Sequence, residues 1–167
     1  MRFGVLSAVI FFWASPSFGD VQVHFDEGAP KDRFTISNIG GCALGATAVT
    51  IDLRGSPYGL IFDVTGSGAG VEVFQPFEML RGGENLKARP TVMDGDNQLT
   101  LDFHGLAAGA SLAFTIDVDD TANRSETMVS GAEIVGAGVV VRTDVSSSNA
   151  SFGEDAIATV AISSCTS

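Results

Sequence analysis

The residues best suited to chemistry are three aspartates at the end of one alternating run, Asp117, Asp119 and Asp120. Side chains alternate between the two faces of a strand, so we expect Asp117 and Asp119 to share the polar face, with Asp120 beginning the following loop. Carboxylates this close repel one another unless a cation or a basic group lies between them. Because calcium prefers oxygen ligands, the sequence predicts a calcium site here.

Three neighbouring carboxylates do not complete such a site, because calcium takes about six to eight oxygen ligands. The candidate contributors of further oxygens are acidic residues of the first predicted loop, Asp26, Glu27 and Asp32. The alternative is a solvated strand end, in which the aspartates face water or pair with Arg124. The spacing of the aspartates is compatible with both the calcium site and the solvated strand end.

Catalytic patterns are weak in this chain. The run at 94–97, Asp-Gly-Asp-Asn, lies between strand-like segments and predicts a hairpin turn rather than a calcium loop. Neither histidine has the spacing to a serine and an acid that would indicate a triad. We therefore predict no catalytic residue and no enzyme, with a hydrolase using acids such as Asp63, Glu72 or Asp102 as the competing hypothesis.

Composition limits the class of partner. The chain has 167 residues, with 20 acidic and 9 basic side chains and a formal net charge of −11. Such a surface repels phosphate backbones, so a nucleic-acid partner is not expected. Hydrophobic residues make up 45% of the chain and charged residues 17%, which favours one folded domain over disorder.

The N-terminal segment 1–19 resembles a secretory signal peptide. A basic start, Met1-Arg2, precedes an apolar run, and Ser17 and Gly19 place small residues at −3 and −1 before Asp20. We therefore expect an exported protein, periplasmic or extracellular, with a single domain at 20–167. No apolar stretch is long enough to predict a transmembrane segment.

Two cysteines, Cys42 and Cys165, remain after the predicted cleavage. In an oxidising compartment an even number of cysteines usually forms disulfides, so we predict that these two are joined. The bond would close a loop that spans most of the mature chain. The chain-entropy model gives about 4–5 kcal/mol of stabilisation for such a loop.

Hydrophobic periodicity of two dominates the mature chain. Clear apolar–polar alternation occurs around Val23, Ile36, Ile51, Leu101 and Phe114, and further strand-like segments lie at 59–64, 71–80, 138–142 and 156–163. Glycine-containing turns separate the runs. This pattern predicts an all-β, antiparallel two-sheet β-sandwich of immunoglobulin-like type with about eight or nine strands; a closed barrel is the alternative. Pro76 indicates an edge strand or a bulge within 71–80.

Four segments resemble small exported bacterial proteins labelled aggregation factor core protein, a name borrowed from a sponge cell-aggregation proteoglycan. They lie at 25–34 (FDEGAPKDRF), 59–64 (GLIFDV), 114–120 (FTIDVDD) and 130–134 (SGAEI). The resemblance implies an extracellular or cell-surface β protein with a calcium-dependent adhesive or aggregating role. It carries over Asp117, Asp119 and Asp120 as the residues of an ion site.

Two functional hypotheses follow. The first is a secreted, non-catalytic β-sandwich with calcium-assisted adhesion, aggregation or surface interaction, whose partner is a cell-surface or matrix glycan or protein. The second is a periplasmic or extracellular module that binds a glycan or another ligand through its loops. No cofactor other than Ca²⁺ is expected.

Overall fold

The computed structural model describes residues 19–66, 74–122 and 128–163, and every structural statement below concerns these residues. They form ten strands: β1 (Gly19–Asp26), β2 (Asp32–Asn38), β3 (Thr47–Asp52), β4 (Leu60–Asp63), β5 (Glu78–Arg81), β6 (Gln98–Phe103), β7 (Ser111–Asp120), β8 (Gly138–Thr143), β9 (Ser147–Ser151) and β10 (Ile157–Ile162). Two short 3₁₀ turns occupy Leu53–Gly55 and Gly83–Asn85.

The strands build two antiparallel sheets. The first has six strands, in the order β10-β1-β2-β7-β4, with β5 also paired to β7. Residues 113–115 of β7 pair with β5 and residues 117–120 pair with β4, so both strands share one edge of β7. The second sheet has four strands, in the order β6-β3-β8-β9. The predicted all-β two-sheet sandwich is confirmed, with ten described strands rather than eight or nine.

The core lies between the sheets and follows the predicted alternation. Leu99, Leu101 and Phe103 of β6 are buried while the residues between them are exposed. The ring of Phe34 stacks on that of Phe114 with 5.3 Å between centroids, across the β2–β7 pair. Burial of these apolar side chains is the main favourable term holding the two sheets together.

The structure corrects two strand predictions. The segment predicted at 71–80 gives a strand only from Glu78, after Pro76, and the pairing of β5 with β7 shifts register between Met79 and Arg81. Residues 71–73 lie outside the described ranges. Strand β9 was not predicted, since the segment SSNAS has no hydrophobic alternation and forms a strand by pairing with β8.

The predicted disulfide stays a prediction, because Cys165 lies outside the described residues. The described part of β10 ends near the start of the loop that holds Cys42. The N–H of Ile39 donates to the carbonyl of Asp20 over 2.9 Å, and Asp20 pairs with Ala161 near the end of β10. The start of the loop after β2 and the end of β10 therefore lie at the same end of the first sheet, on opposite sides of β1.

The predicted signal peptide lies outside the described residues up to position 18. Gly19, its last residue, already belongs to β1 and pairs with Ile162. In the described part of the chain, no helix has the length and hydrophobicity needed to span a membrane.

Candidate functional site

The predicted calcium ligands lie on β7, which is buried on both faces. Leu112, Phe114, Ile116 and Val118 face the core, and alternation places Asp117 and Asp119 on the opposite face. Asp117 is only 4% exposed and Asp119 only 2%. The expectation that this polar face meets water is therefore wrong.

The sequence suggested that Asp120 begins a loop, but this prediction is wrong. Asp120 is the last residue of β7 and pairs with Leu60 of β4. Alternation turns its side chain to the face opposite that of Asp117 and Asp119. The structure thus separates Asp120 from the other two predicted ligands.

The structure instead adds Asp63, which lies on β4 directly opposite Asp117. Asp63 is 1% exposed, and no donor among the described residues reaches either of its carboxyl oxygens. The same holds for Oδ2 of Asp117. The Asp63 carboxyl faces those of Asp94 and Asp119, which are hydrogen-bond donors only when protonated.

Two further aspartates are fixed in position by backbone N–H groups. Asp32 Oδ1 accepts from Gly28 N over 3.0 Å, and Oδ2 accepts from Val118 N over 3.1 Å. Asp94 Oδ1 accepts from Val64 N over 2.9 Å and from Thr65 N over 3.0 Å. Asp32 thereby flanks β7 on its β2 side, while Asp94 flanks β4 on its outer side.

We call Asp32, Asp63, Asp94, Asp117 and Asp119 the acidic cluster. Sequence reasoning named three of them and missed Asp63 and Asp94 as ion ligands. A sequence signal existed for both: Asp63 ends an apolar run, and Asp94 opens an Asp-Gly-Asp-Asn turn. Their proximity to Asp117 and Asp119 depends on the long-range pairing of β4 with β7.

Burial changes the acidity of these carboxyls. Desolvation raises the pKa of Asp63 to about 8, and the adjacent Asp94 and Asp119 add to the effect. Desolvation, with contributions from Asp119 and Asp32, also raises the pKa of Asp117 to about 8. The cluster therefore disfavours its own fully ionised state unless a cation is present.

At Asp32, burial and hydrogen bonding have opposite effects on the pKa. Desolvation raises its pKa to about 7, against the opposing effect of the hydrogen bonds from Gly28 and Val118. The charges of Asp119 and Glu27 raise it further. The Asp32 carboxyl is therefore held by two backbone N–H donors and lies close to the negative charges of Asp119 and Glu27.

The remaining predicted contributors have other contacts. Asp26 lies 3.5 Å from His24 Nδ1 on the half-exposed face of β1. Glu27 Oε2 accepts from Gly131 N over 2.7 Å. Arg124, the alternative partner for the aspartates, lies outside the described residues.

The ion pairs found within 19–66, 74–122 and 128–163 leave Asp32, Asp63 and Asp117 without a basic partner from those ranges. These pairs join Lys31 to Glu78, Arg54 to Asp52 and His24 to Asp26. In the same ranges, no three acidic, histidine or cysteine side chains are already arranged to hold a metal ion. Binding would therefore require the carboxylates to rotate toward a common centre.

The acids considered for a hydrolase do not form a described pair. Asp63 belongs to the first sheet and Asp102 to the second, where Asp102 is exposed. Glu72 lies outside the described residues. Asp102 instead lines a shallow cavity of about 200 Å³ with Lys87, Arg142 and Asp144.

In comparisons with known proteins, no family model and no curated protein matches this chain.

Proposed function

We propose that this protein is an exported, non-catalytic β-sandwich that takes part in calcium-assisted adhesion or aggregation at a cell surface or in a matrix. The observation that carries the proposal is the acidic cluster. It places several carboxylates in a nearly solvent-free position, and two of them, Asp63 and Asp117, have oxygens that no described donor reaches. Such an arrangement is costly unless protons or a cation neutralise it.

Calcium suits this cluster better than other common metals. The ligands are oxygens alone, with no histidine or cysteine in the cluster, and hard cations select oxygen ligands. Calcium also tolerates irregular geometry, whereas magnesium demands a near-ideal octahedron and retains its water. An Asp side chain has two rotatable bonds, so the carboxylates can close on an ion while the strands stay in place.

A bound cation would link three strands and one turn that are joined by only some hydrogen bonds without it. The cluster draws on β2, β4, β7 and the turn that contains Asp94. Neutralising it would stiffen the end of the first sheet at which β2 begins and β7 ends. The adhesive role itself is supported by the resemblance to exported proteins labelled aggregation factor core protein.

A calcium series on chelator-treated protein tests the proposal. We expect a saturable rise in melting temperature that is reduced in Asp119→Asn and retained in Asp102→Asn, a matched change at an exposed acid of the second sheet. Beads coated with the protein should cluster, or bind cells, in calcium and disperse in chelator. Absence of both the stabilisation and the clustering would contradict the proposed role.

A ligand-binding module is the second candidate, and one observation favours it. The outer face of the second sheet carries the cavity of about 200 Å³ in which Lys87 and Arg142 lie with Asp102. Such a polar hollow offers donors and acceptors for sugar hydroxyls, but it is smaller than ordinary small-molecule pockets of roughly 300–1,000 Å³. Glycan binding that persists in chelator and is lost in Arg142→Ala would favour this role over adhesion through calcium.

Export can be tested separately. N-terminal sequencing of protein recovered from outside the cytoplasm should begin at Asp20 if the predicted cleavage is correct. A retained N-terminus in cytoplasmic protein would remove the premise that calcium is abundant around it.

A further inference from the structure

The outer edge of β10 offers a docking surface for another strand. We infer that β10 (Ile157–Ile162) pairs antiparallel with β10 of a second copy of this chain, so that the two first sheets form one continuous sheet. The pairing makes a twofold dimer and requires neither calcium nor the acidic cluster. It therefore goes beyond the proposed function.

Strand β1 bonds its two neighbours through alternate residues, as antiparallel strands do. Phe25 N donates to Ala156 O, just before β10, over 3.0 Å. Asp20 O accepts from Ile39 N, just after β2, over 2.9 Å. The odd-numbered residues of β1 therefore point their backbone groups toward β10, and the even-numbered residues point theirs toward β2.

The register between β1 and β10 then fixes the backbone directions in β10. Val23 lies opposite Ala158, so the even-numbered residues of β10 bond β1. The N–H and C=O groups of the alternate residues Thr159 and Ala161 point away from the sheet. Within residues 19–66, 74–122 and 128–163, no donor or acceptor bonds these outward groups. The side chains of Thr159 and Ala161 are also exposed, so this edge is open to a partner.

The outer edges of β4, β5 and β6 are protected by other parts of the chain or by their own sequence. Phe62 of β4 exchanges hydrogen bonds with residues 95–96, and residues 85–87 bond the outer edge of β6. Strand β5 has four residues, of which Glu78 and Arg81 are charged, and its register shifts. Short length, charge and irregularity discourage pairing with another chain. Strand β10, with the sequence IATVAI, has no charge and no proline.

The outward groups of β10 fit a second copy of the same strand. With Val160 of both copies on the twofold axis, Thr159 of each copy lies opposite Ala161 of the other, and each outward N–H and C=O group of these residues gains a partner. The carbonyl of Ile157 already accepts from Gly153 N over 3.0 Å, which closes the edge at the start of the strand. This bond favours a pairing centred on Val160.

Charge favours both this surface and the antiparallel orientation. The chain has a formal net charge of −11, so two copies repel each other unless they meet through an uncharged surface. Glu154 and Asp155 precede β10 at one end. An antiparallel pair keeps these acids of the two copies roughly 20 Å or more apart, since a strand advances about 3.4 Å per residue. A parallel pair would place them side by side.

The proposed interface is closed and narrow. Twofold pairing uses the β10 edge of both copies, so assembly through this edge stops at the dimer. A contact made by one strand from each copy is small for a protein interface, and small interfaces are typical of weak, transient complexes. We therefore expect the dimer to dissociate on dilution.

Sedimentation equilibrium in chelator, over a wide range of protein concentration, tests the inference. We expect a monomer–dimer equilibrium in the parent and only monomer in Ala161→Pro. The substitution removes an outward N–H and puts the proline ring in its place, and proline is tolerated at an edge strand when the lost N–H faces outward. If circular dichroism shows that Ala161→Pro fails to fold, Thr159→Glu replaces it. This change adds negative charge at the same edge and should also give only monomer.

Asn149→Pro on β9 is the matched control. Thr143 N donates to Ser146 O, so alternation points the Asn149 N–H away from β8, at the outer edge of the second sheet. This edge also lacks described bonds, but serine and asparagine favour strands less than the β-branched residues of β10 do. We expect the control to dimerise like the parent. A dimer lost in Asn149→Pro and kept in Ala161→Pro would overturn the assignment to β10.

Amide hydrogen exchange measured by NMR locates the interface in the parent. Exchange at Thr159 and Ala161 should slow as protein concentration rises, whereas Val160, which bonds β1, should be protected at every concentration. A parent that stays monomeric up to millimolar concentration would overturn the inference, as would a dimer in which Thr159 and Ala161 remain unprotected. Either result leaves the calcium role intact, because bead clustering and calcium stabilisation test that role separately.

Discussion

Asp63 and Asp117 lie directly opposite each other on the antiparallel strands β4 and β7, both almost fully buried. Like charges directly opposite in a sheet are destabilising, and burial makes their ionisation harder still. Neither residue has a described basic partner. A sandwich with a well-packed core thus keeps a costly electrostatic arrangement at one end, which is typical of functional sites.

The first prediction concerns pH. Burial raises the pKa of Asp32 to about 7 and those of Asp63 and Asp117 to about 8, from 3.8. Between about pH 4 and pH 8 the folded protein then binds more protons than the unfolded chain, so its free energy of unfolding falls as pH rises. In chelator, we expect a lower melting temperature at pH 8.5 than at pH 5.

Calcium should reverse this trend, because the ion binds the ionised carboxylates and competes with protons. Its stabilising effect should therefore be larger at pH 8.5 than at pH 5. At about 100 times its dissociation constant, a ligand of the folded state adds about 2.7 kcal/mol. A melting temperature that stays level across this range in chelator would show that the cluster is not strained by ionisation.

The second prediction is that the effect of Asp63→Asn on the free energy of unfolding changes sign when calcium is added. In chelator at pH 8, Asp63→Asn removes a buried charge that repels Asp94 and Asp119, so we expect stabilisation by roughly 1–2 kcal/mol. In saturating calcium the same substitution removes a ligand and should destabilise relative to the parent. Chemical denaturation in both conditions measures the crossover, and Asp102→Asn should stay within about 0.5 kcal/mol in each.

The third prediction concerns the cysteines. If Cys42 and Cys165 form the predicted disulfide, replacing both with alanine should lower the free energy of unfolding by about 2–5 kcal/mol. Reducing agent should lower the stability of the parent and leave the double variant unchanged. Equal sensitivity of parent and variant to reductant would argue against the bond.

The fourth prediction concerns the core. Phe114 contacts both Phe34 and Phe77, with ring centroids 5.3 and 5.0 Å away. Phe114→Ala should therefore cost about 3–5 kcal/mol through lost burial and a cavity. Val145→Ala is the matched control because Val145 is 78% exposed, and its effect should remain within about 0.5 kcal/mol. Urea denaturation gives both values.

The fold was predictable where one face of a strand meets the core and the other meets water. Val49 and Ile51 on β3 are buried and alternate with less buried polar neighbours, as the period of two required. The pattern fails on β9, whose serines form a strand through pairing with β8 and carry no apolar face. Local periodicity cannot detect a strand that depends on its neighbour.

The site was predictable only in part. Alternation correctly put Asp117 and Asp119 on one face, but it could not show that this face is buried. Asp63 joins them through strand pairing, and Asp94 through hydrogen bonds to Val64 and Thr65. Such contacts between distant parts of the chain are set by the tertiary fold and leave no mark in local sequence spacing.

The wide spacing of the cluster along the chain has a kinetic consequence. Asp32 and Val118 are joined by a hydrogen bond across 86 positions, so the site exists only after the first sheet has assembled. Contacts between such distant positions form slowly, because closing a long loop costs entropy. Because the site forms late in folding, a bound cation would leave the folding rate almost unchanged and would slow unfolding instead. If the chain is exported and binds calcium as proposed, it would unfold readily before export and more slowly afterwards, where calcium is present.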